Sequence, residues 1–202
     1  MKISNAQTKA LTENGKEVLL FDDGTWKYSQ DSSNSDKKTD SVSTNSHNFY
    51  KTSSQSFLVK SNVFNVGLYI DPSKWTYTPH GDNEKSPEYR FSLKTGDAFV
   101  MMITEKTPIT LDNIREIALI NARKASIDAK EESAEYRIVN NKKVLCLKIK
   151  GTIKGIKFIY LGYYYYNDNG TIQLVSYTTQ QAFNTVQKEM ETCLNGLVEI
   201  AK

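Results

Sequence analysis

Histidines, cysteines, paired carboxylates, a lysine run and a knot of tyrosines are the side chains of this 202-residue chain that could do chemistry. His80 and Asp82 are close enough in sequence to suggest a metal site, but two ligands on a loop without a third read as surface groups. His47 ends a polar tract and takes no role. A nucleophilic triad needs its histidine inside an ordered pocket, and both histidines fall in loops. Cys146 and Cys193 are too few for a disulfide framework and lack metal-ligand spacing. They read as two buried small hydrophobes, with a single bridge open to them if their elements touch. Asp22-Asp23 and Glu131-Glu132 are adjacent acidic residues of the kind that sit solvated on turns and helix ends. There is no glycine-rich phosphate cradle and no His-Glu-x-x-His helix. The sequence therefore predicts no catalytic residue, no metal site and no cofactor.

Two features remain. From Lys142 to Lys157 the chain carries Lys142, Lys143, Lys148, Lys150, Lys154 and Lys157 with no acidic residue between them. Gathered on one hairpin they would form a positive patch for an acidic protein or an anionic lipid surface. The plainer reading is a hairpin edge protected from aggregation by lysines. The second feature is Tyr160 with Tyr163 to Tyr166, set beside Trp75. Tyrosines on an interior strand are ordinarily core residues with a bonded hydroxyl, but Trp75, Tyr163 and Tyr165 together could line a ligand pocket.

The elements that must position these residues are legible from periodicity. Leu145, Leu147 and Ile149 alternate with Cys146, Lys148 and Lys150, the period of a strand. Glycines 151 and 155 mark a reversal. In the next run Phe158, Tyr160, Tyr164 and Tyr166 share one face and Ile159, Leu161, Tyr163 and Tyr165 the other. Both faces need cover, so this strand is predicted to be central. Asn167-Asp168-Asn169-Gly170 turns the chain into a third strand over 171–178. Helices are predicted from Leu111, with Leu111, Ile114, Ala118, Ala122, Ala125 and Ala129 as its apolar stripe, and after Thr178, with Phe183, Val186, Met190, Cys193, Leu194 and Leu197 inward. Thr110 or Asp112 is the expected cap of the first, and a Thr178/Gln181 capping box that of the second. Strands are expected over 57–64, 66–70, 89–93, 98–105 and 135–139.

Upstream, Asn14-Gly15 and Asp22-Asp23-Gly24 punctuate short alternating runs, predicting an N-terminal β-hairpin in residues 1–28. Residues 29–48 hold one apolar side chain, Val42, and are expected to be a disordered linker. Residues 49–202 make the main domain, since 39% hydrophobic side chains suffice for one core. With 26 basic and 23 acidic residues the net charge is +3, giving no reason to expect a nucleic-acid partner. No apolar run reaches the roughly 18 residues of a membrane span.

Gly15, Lys16, Val18, Leu20, Asp22, Asp23, Gly24, Thr25, Trp26 and Tyr28 resemble a motif found near the mature N-terminus of many exported bacterial proteins. That resemblance implies a periplasmic or secreted protein whose leader has given way to a start methionine, the alternative being a cytoplasmic one. From Val66 onward the order of elements resembles the PsbP-like superfamily, which includes a photosystem II accessory protein and the Mog-type proteins that bind the Ran GTPase. The residues that carry it are Pro72, Trp75, the helix from Leu111, Gly162-Tyr163, Gly170, Gln173, Tyr177-Thr178 and Phe183. It implies an α+β fold with a central antiparallel sheet between helices, an α/β/α sandwich, with the N-terminal hairpin separate. It also implies a non-catalytic binding or accessory role toward a larger protein, here placed in the bacterial cell envelope. The alternative is a small-ligand carrier or enzyme using the Tyr/Trp-lined pocket, and a peripheral contact with anionic membrane through the lysines is a further expectation.

Overall fold

A computed structural model describes residues 7–11, 17–21, 24–28, 42–79 and 87–200. The three-strand meander predicted at the centre is present. β10 (Lys130–Val139), β11 (Lys142–Ile153), β12 (Ile156–Asn167) and β13 (Gly170–Thr179) run antiparallel in succession. Their reversals follow from local backbone chemistry. Asn140-Asn141 and Lys154-Gly155 have positive φ at both positions, the geometry of tight turns whose twist matches the strands. The first glycine expected in a turn is not in one. Gly151 lies within β11, where a Cβ would stand 2.2 Å from the Ser126 hydroxyl, so glycine answers a close approach and not a reversal.

The sheet continues on the far side of β13 with β9 (Phe99–Glu105), β8 (Tyr89–Leu93) and β7 (Trp75–Pro79). At its other edge β4 (Ser43–Phe49) pairs with β10 in parallel, giving the eight-stranded order β4-β10-β11-β12-β13-β9-β8-β7. β12 is interior, as its two apolar faces require. β4 corrects the expected linker boundary: residues 43–48 are strand, though the stretch has no apolar periodicity. Backbone pairing and Asn45, whose amide donates to Glu135 at 3.3 Å, hold it there. Residues 29–41, the rest of the expected linker, lie outside the described residues.

One face of the sheet is closed by α2 (Phe183–Leu194) together with a small antiparallel sheet of β14 (Leu197–Glu199), β6 (Val66–Ile70) and β5 (Phe57–Lys60). On the other face, among the described residues, lies α1 (Leu111–Ala125), packed on β10, β11 and the adjoining part of β12. The described residues make a mostly-β molecule with a large mixed sheet and two helices, and not the clear α/β/α sandwich expected. Half of the second layer is sheet, because the 57–70 segment pairs with the chain's end. The N-terminal segment forms a separate three-stranded sheet, β1 (Gln7–Leu11), β2 (Glu17–Phe21) and β3 (Trp26–Tyr28). Lys9 lies 3.8 Å from Glu116 of α1.

The α2 stripe is buried from Phe183 to Leu194, with Leu197 beyond it in β14, whereas α1 buries Leu111, Ile114 and Ala118 but leaves Ala122 half-buried and Ala125 exposed, with Ala129 past its end; the caps differ too. Thr110 precedes α1 without a side-chain cap. Thr178 belongs to β13 and donates its hydroxyl to the Asp97 carbonyl, while Thr179 Oγ1 accepts from the Ala182 amide at the start of α2.

Candidate functional site

The odd-numbered tyrosines of β12 face the closed side. Tyr163 has no exposure at all; its hydroxyl accepts from Arg137 Nη1 at 2.7 Å and donates to Asn195 Oδ1 at 3.0 Å. The Tyr165 hydroxyl donates to Glu199 Oε2 at 3.1 Å. Burial pushes the Tyr165 phenol up to about 12 and lifts that of Tyr163 well above its ordinary range. Trp75 is buried in the same core. The structure does not bring Trp75 together with Tyr163 and Tyr165: β7 stands four strands from β12 in the sheet, and each of the three side chains is buried where it lies. Cys146 and Cys193 are free thiols in that core, and burial raises both, Cys146 to about 12.

The six lysines do not gather into one patch. Alternation along β11 puts Lys142, Lys148 and Lys150 on the closed face and Lys143 on the opposite one. Lys142 pairs with Glu199, and Lys148 and Lys150 both pair with Glu132. Burial works against the Glu132 carboxylate, but the two lysine hydrogen bonds outweigh it and hold its pKa below the ordinary value. Lys143 lies over the Tyr136 ring at 3.9 Å, whereas Lys154 and Lys157 are exposed at the turn. His47 sits exposed on β4 with Nδ1 3.1 Å from Asn45 Oδ1. His80 and Asp82 lie outside the described residues.

The even-numbered face is different. α1 is tethered over β10 and β11: Arg115 reaches Glu131 with Nε to Oε2 at 2.8 Å, and past the helix end Ser126 and Asp128 both accept from the Thr152 amide at 2.7 Å. So tethered, α1 leaves a groove of about 610 Å3 between itself and the β12-β13-β9 part of the sheet. That lies in the roughly 300–1,000 Å3 range of small-molecule sites. Ala118, Ala122 and Ala125 form its wall, and their small side chains make the space. Met101, Ile103 and Val175 supply apolar floor; Lys124 and Glu105, both exposed, are at the rim.

Tyr164 and Gln173, directly opposite each other in the β12-β13 register, complete the floor. Tyr164 is 3% exposed and Gln173 7%. The Tyr164 ring folds back over Gly162, where a Cβ would stand 2.7 Å from both ring and hydroxyl. Neither the Tyr164 hydroxyl nor the Gln173 carboxamide has a hydrogen-bond partner among the described residues. The other buried polar side chains, Gln55, Asp71, Ser126, Thr171, Ser176 and Thr178, are all bonded. Gln173 is the exception, and buried polar groups left unpaired need an explanation. Beyond the groove the same face carries an aromatic shelf. Tyr160 lies 6.2 Å from Tyr177, and Tyr177 stacks on Phe99 at 5.3 Å.

Sequence reasoning passed over this site. It sought a pocket on the opposite face of β12, at Tyr163 and Tyr165, and it met Gln173 only as a mark of resemblance. The usable signal was one polar residue inside the otherwise apolar run Ile172-Gln173-Leu174-Val175.

No family model matches the chain, and no curated protein matches it. Solved structures do. Cyanobacterial PsbP (CyanoP) from Synechocystis sp. PCC 6803 superposes with a TM-score of 0.57 at 13% identity, covering 71% of this chain and 91% of its own. LpqN of Mycobacterium tuberculosis, described as involved in cell envelope biogenesis, gives 0.52 at 9% identity over 72% and 90%. The fold is PsbP-like.

Proposed function

We propose that this PsbP-like domain is a non-catalytic binding protein with an accessory role in the bacterial cell envelope, and that it works through the groove beside α1. The observation that carries the reading is a pair of buried polar groups, Tyr164 and Gln173, without hydrogen-bond partners among the described residues, on an otherwise apolar floor. Folding around such groups is unfavourable unless something satisfies them. Both are neutral across the physiological range: burial drives the Tyr164 phenol far up, and a carboxamide does not titrate. They are therefore suited to recognition and not to moving protons, which needs a group poised near the working pH. The envelope placement is supported by the likeness to LpqN and by the exported-protein motif of residues 15–28.

Native mass spectrometry after incubation with the small-molecule fraction of a bacterial envelope extract tests the reading. The wild-type chain is expected to retain a ligand mass that Ala122→Phe, which fills the groove from the helix side, does not. Equal retention by both, with the variant's circular dichroism unchanged, would overturn it.

A further inference from the structure

The geometry points to a specific ligand chemistry: we propose that the groove takes an uncharged, flat-ringed small molecule bearing an amide-type pair, one N–H donor beside one C=O acceptor. This rests on the reading of the groove as a binding site and sharpens it.

The Gln173 carboxamide offers one acceptor oxygen and two N–H donors, and the Tyr164 hydroxyl one donor and two acceptor lone pairs. Their backbone positions face each other on neighbouring strands, with the Tyr164 ring laid over Gly162, so one floor carries both a hydroxyl and a carboxamide. A carboxamide is matched edge to edge by another amide, lactam or imide, the same two-point pairing by which glutamine reads adenine. A purely apolar ligand would leave both groups buried and unpaired, which forfeits affinity. A charged ligand fits no better, because among the described residues no ionised side chain lies on the floor; Lys124 and Glu105 stand exposed at the rim, and Lys124 donates to Asn121 at 3.1 Å. An ion moved onto an apolar floor without a counter-charge is disfavoured. The flat ring is specified by the surroundings. The alanine wall of α1 is smooth, and Tyr160 carries an aromatic face on toward Tyr177 and Phe99. Rings offset-stack on such a shelf.

Three probes of nearly one shape separate the possibilities in 1H–15N NMR titrations of the full chain: benzamide, which has the ring and the amide; toluene, the ring alone; and benzoate, the ring with a charge. Benzamide is expected to shift the amides of residues 164 and 173 and to bind about tenfold more tightly than either of the others, the worth of one well-made buried hydrogen-bond pair. Gln173→Leu, close in volume, is expected to erase the difference between benzamide and toluene while toluene still binds. Toluene and benzamide binding the wild-type groove equally would overturn the amide assignment and leave the groove a binding site. Benzoate binding best would overturn the uncharged class. If none of the three perturbs groove residues, the binding reading itself fails together with the assignment.

Discussion

Adjacent residues of β12, Tyr163 and Tyr164, point to opposite sides of one sheet and meet opposite fates. Tyr163 enters the face on which α2 and the small sheet close the core, and its hydroxyl is met by Arg137 and Asn195. Tyr164 enters a face that, among the described residues, α1 covers over β10, β11 and the adjoining part of β12, and its hydroxyl meets none of them. Residue type and burial are the same. What differs is whether long-range elements deliver a polar partner, and that separates a tyrosine that holds the fold from one that is available to a ligand.

The harshest way to break the contrast is at Gly162. Replacing it with valine sets side-chain carbon where the Tyr164 ring lies and forces that ring out into the groove. A loss of about 3 kcal/mol is expected, the upper end of overpacking penalties, together with loss of groove binding; chemical denaturation and the benzamide titration measure the two.

Removing one hydroxyl at a time sharpens it. Tyr163→Phe strips Arg137 Nη1 and Asn195 Oδ1 of a partner inside the core and is expected to destabilise by about 1–3 kcal/mol. Tyr164→Phe removes a group that is unpaired within the chain, and stability should stay within about 0.5 kcal/mol of wild type or rise. Equal losses in denaturant midpoints would mean that the two faces do not differ as described.

The difference depends on α1 staying over β10 and β11, and Asp128 is one of its tethers. Hydrogen bonds from the Ser126 hydroxyl first, and from Thr152, hold the Asp128 carboxyl at about 2, below the usual 3.8. A depressed folded-state pKa contributes stability fully above the unfolded value and loses it as pH falls through the folded one. Thermal melts of the wild type should therefore drop between about pH 4 and pH 2. Asp128→Asn should melt lower at neutral pH and lose the part of that acid-side slope due to residue 128. An unchanged slope would show that this tether contributes nothing.

Much of the closed face could be read from the sequence. Strand periodicity gave the sidedness of Tyr163 and Tyr165, and helix periodicity gave the stripe of α2, because both are local. The groove is not local. It depends on β13 standing between β12 and β9, strands from separate parts of the chain, and on where α1 is tethered along the sheet. The same blindness affected the lysine run. Free of acids in sequence, it meets Glu132 of β10 and Glu199 of β14 in space. β4 was missed for the converse reason: an edge strand held by backbone bonds needs no apolar pattern.

The smallest expected effect returns to those lysines, on the closed face. Lys148 and Lys150 share the single carboxylate of Glu132, and all three side chains keep a quarter or more of their exposure. Pairs so placed contribute about 0–1 kcal/mol, so Glu132→Gln should hardly change the melting temperature. It should change the surface field instead, by releasing two cations beside the exposed Lys154 and Lys157. Sedimentation with phosphatidylserine vesicles is the measurement: weak retention of the wild type, stronger retention of Glu132→Gln, and loss of the difference at high salt as screening takes over. Equal retention at low salt would mean that Glu132 does not mask the lysines. Strong, salt-insensitive retention of the wild type would mean that the closed face carries a binding surface of its own, and that the contrast between the two sides of the sheet is one of chemistry more than of closure.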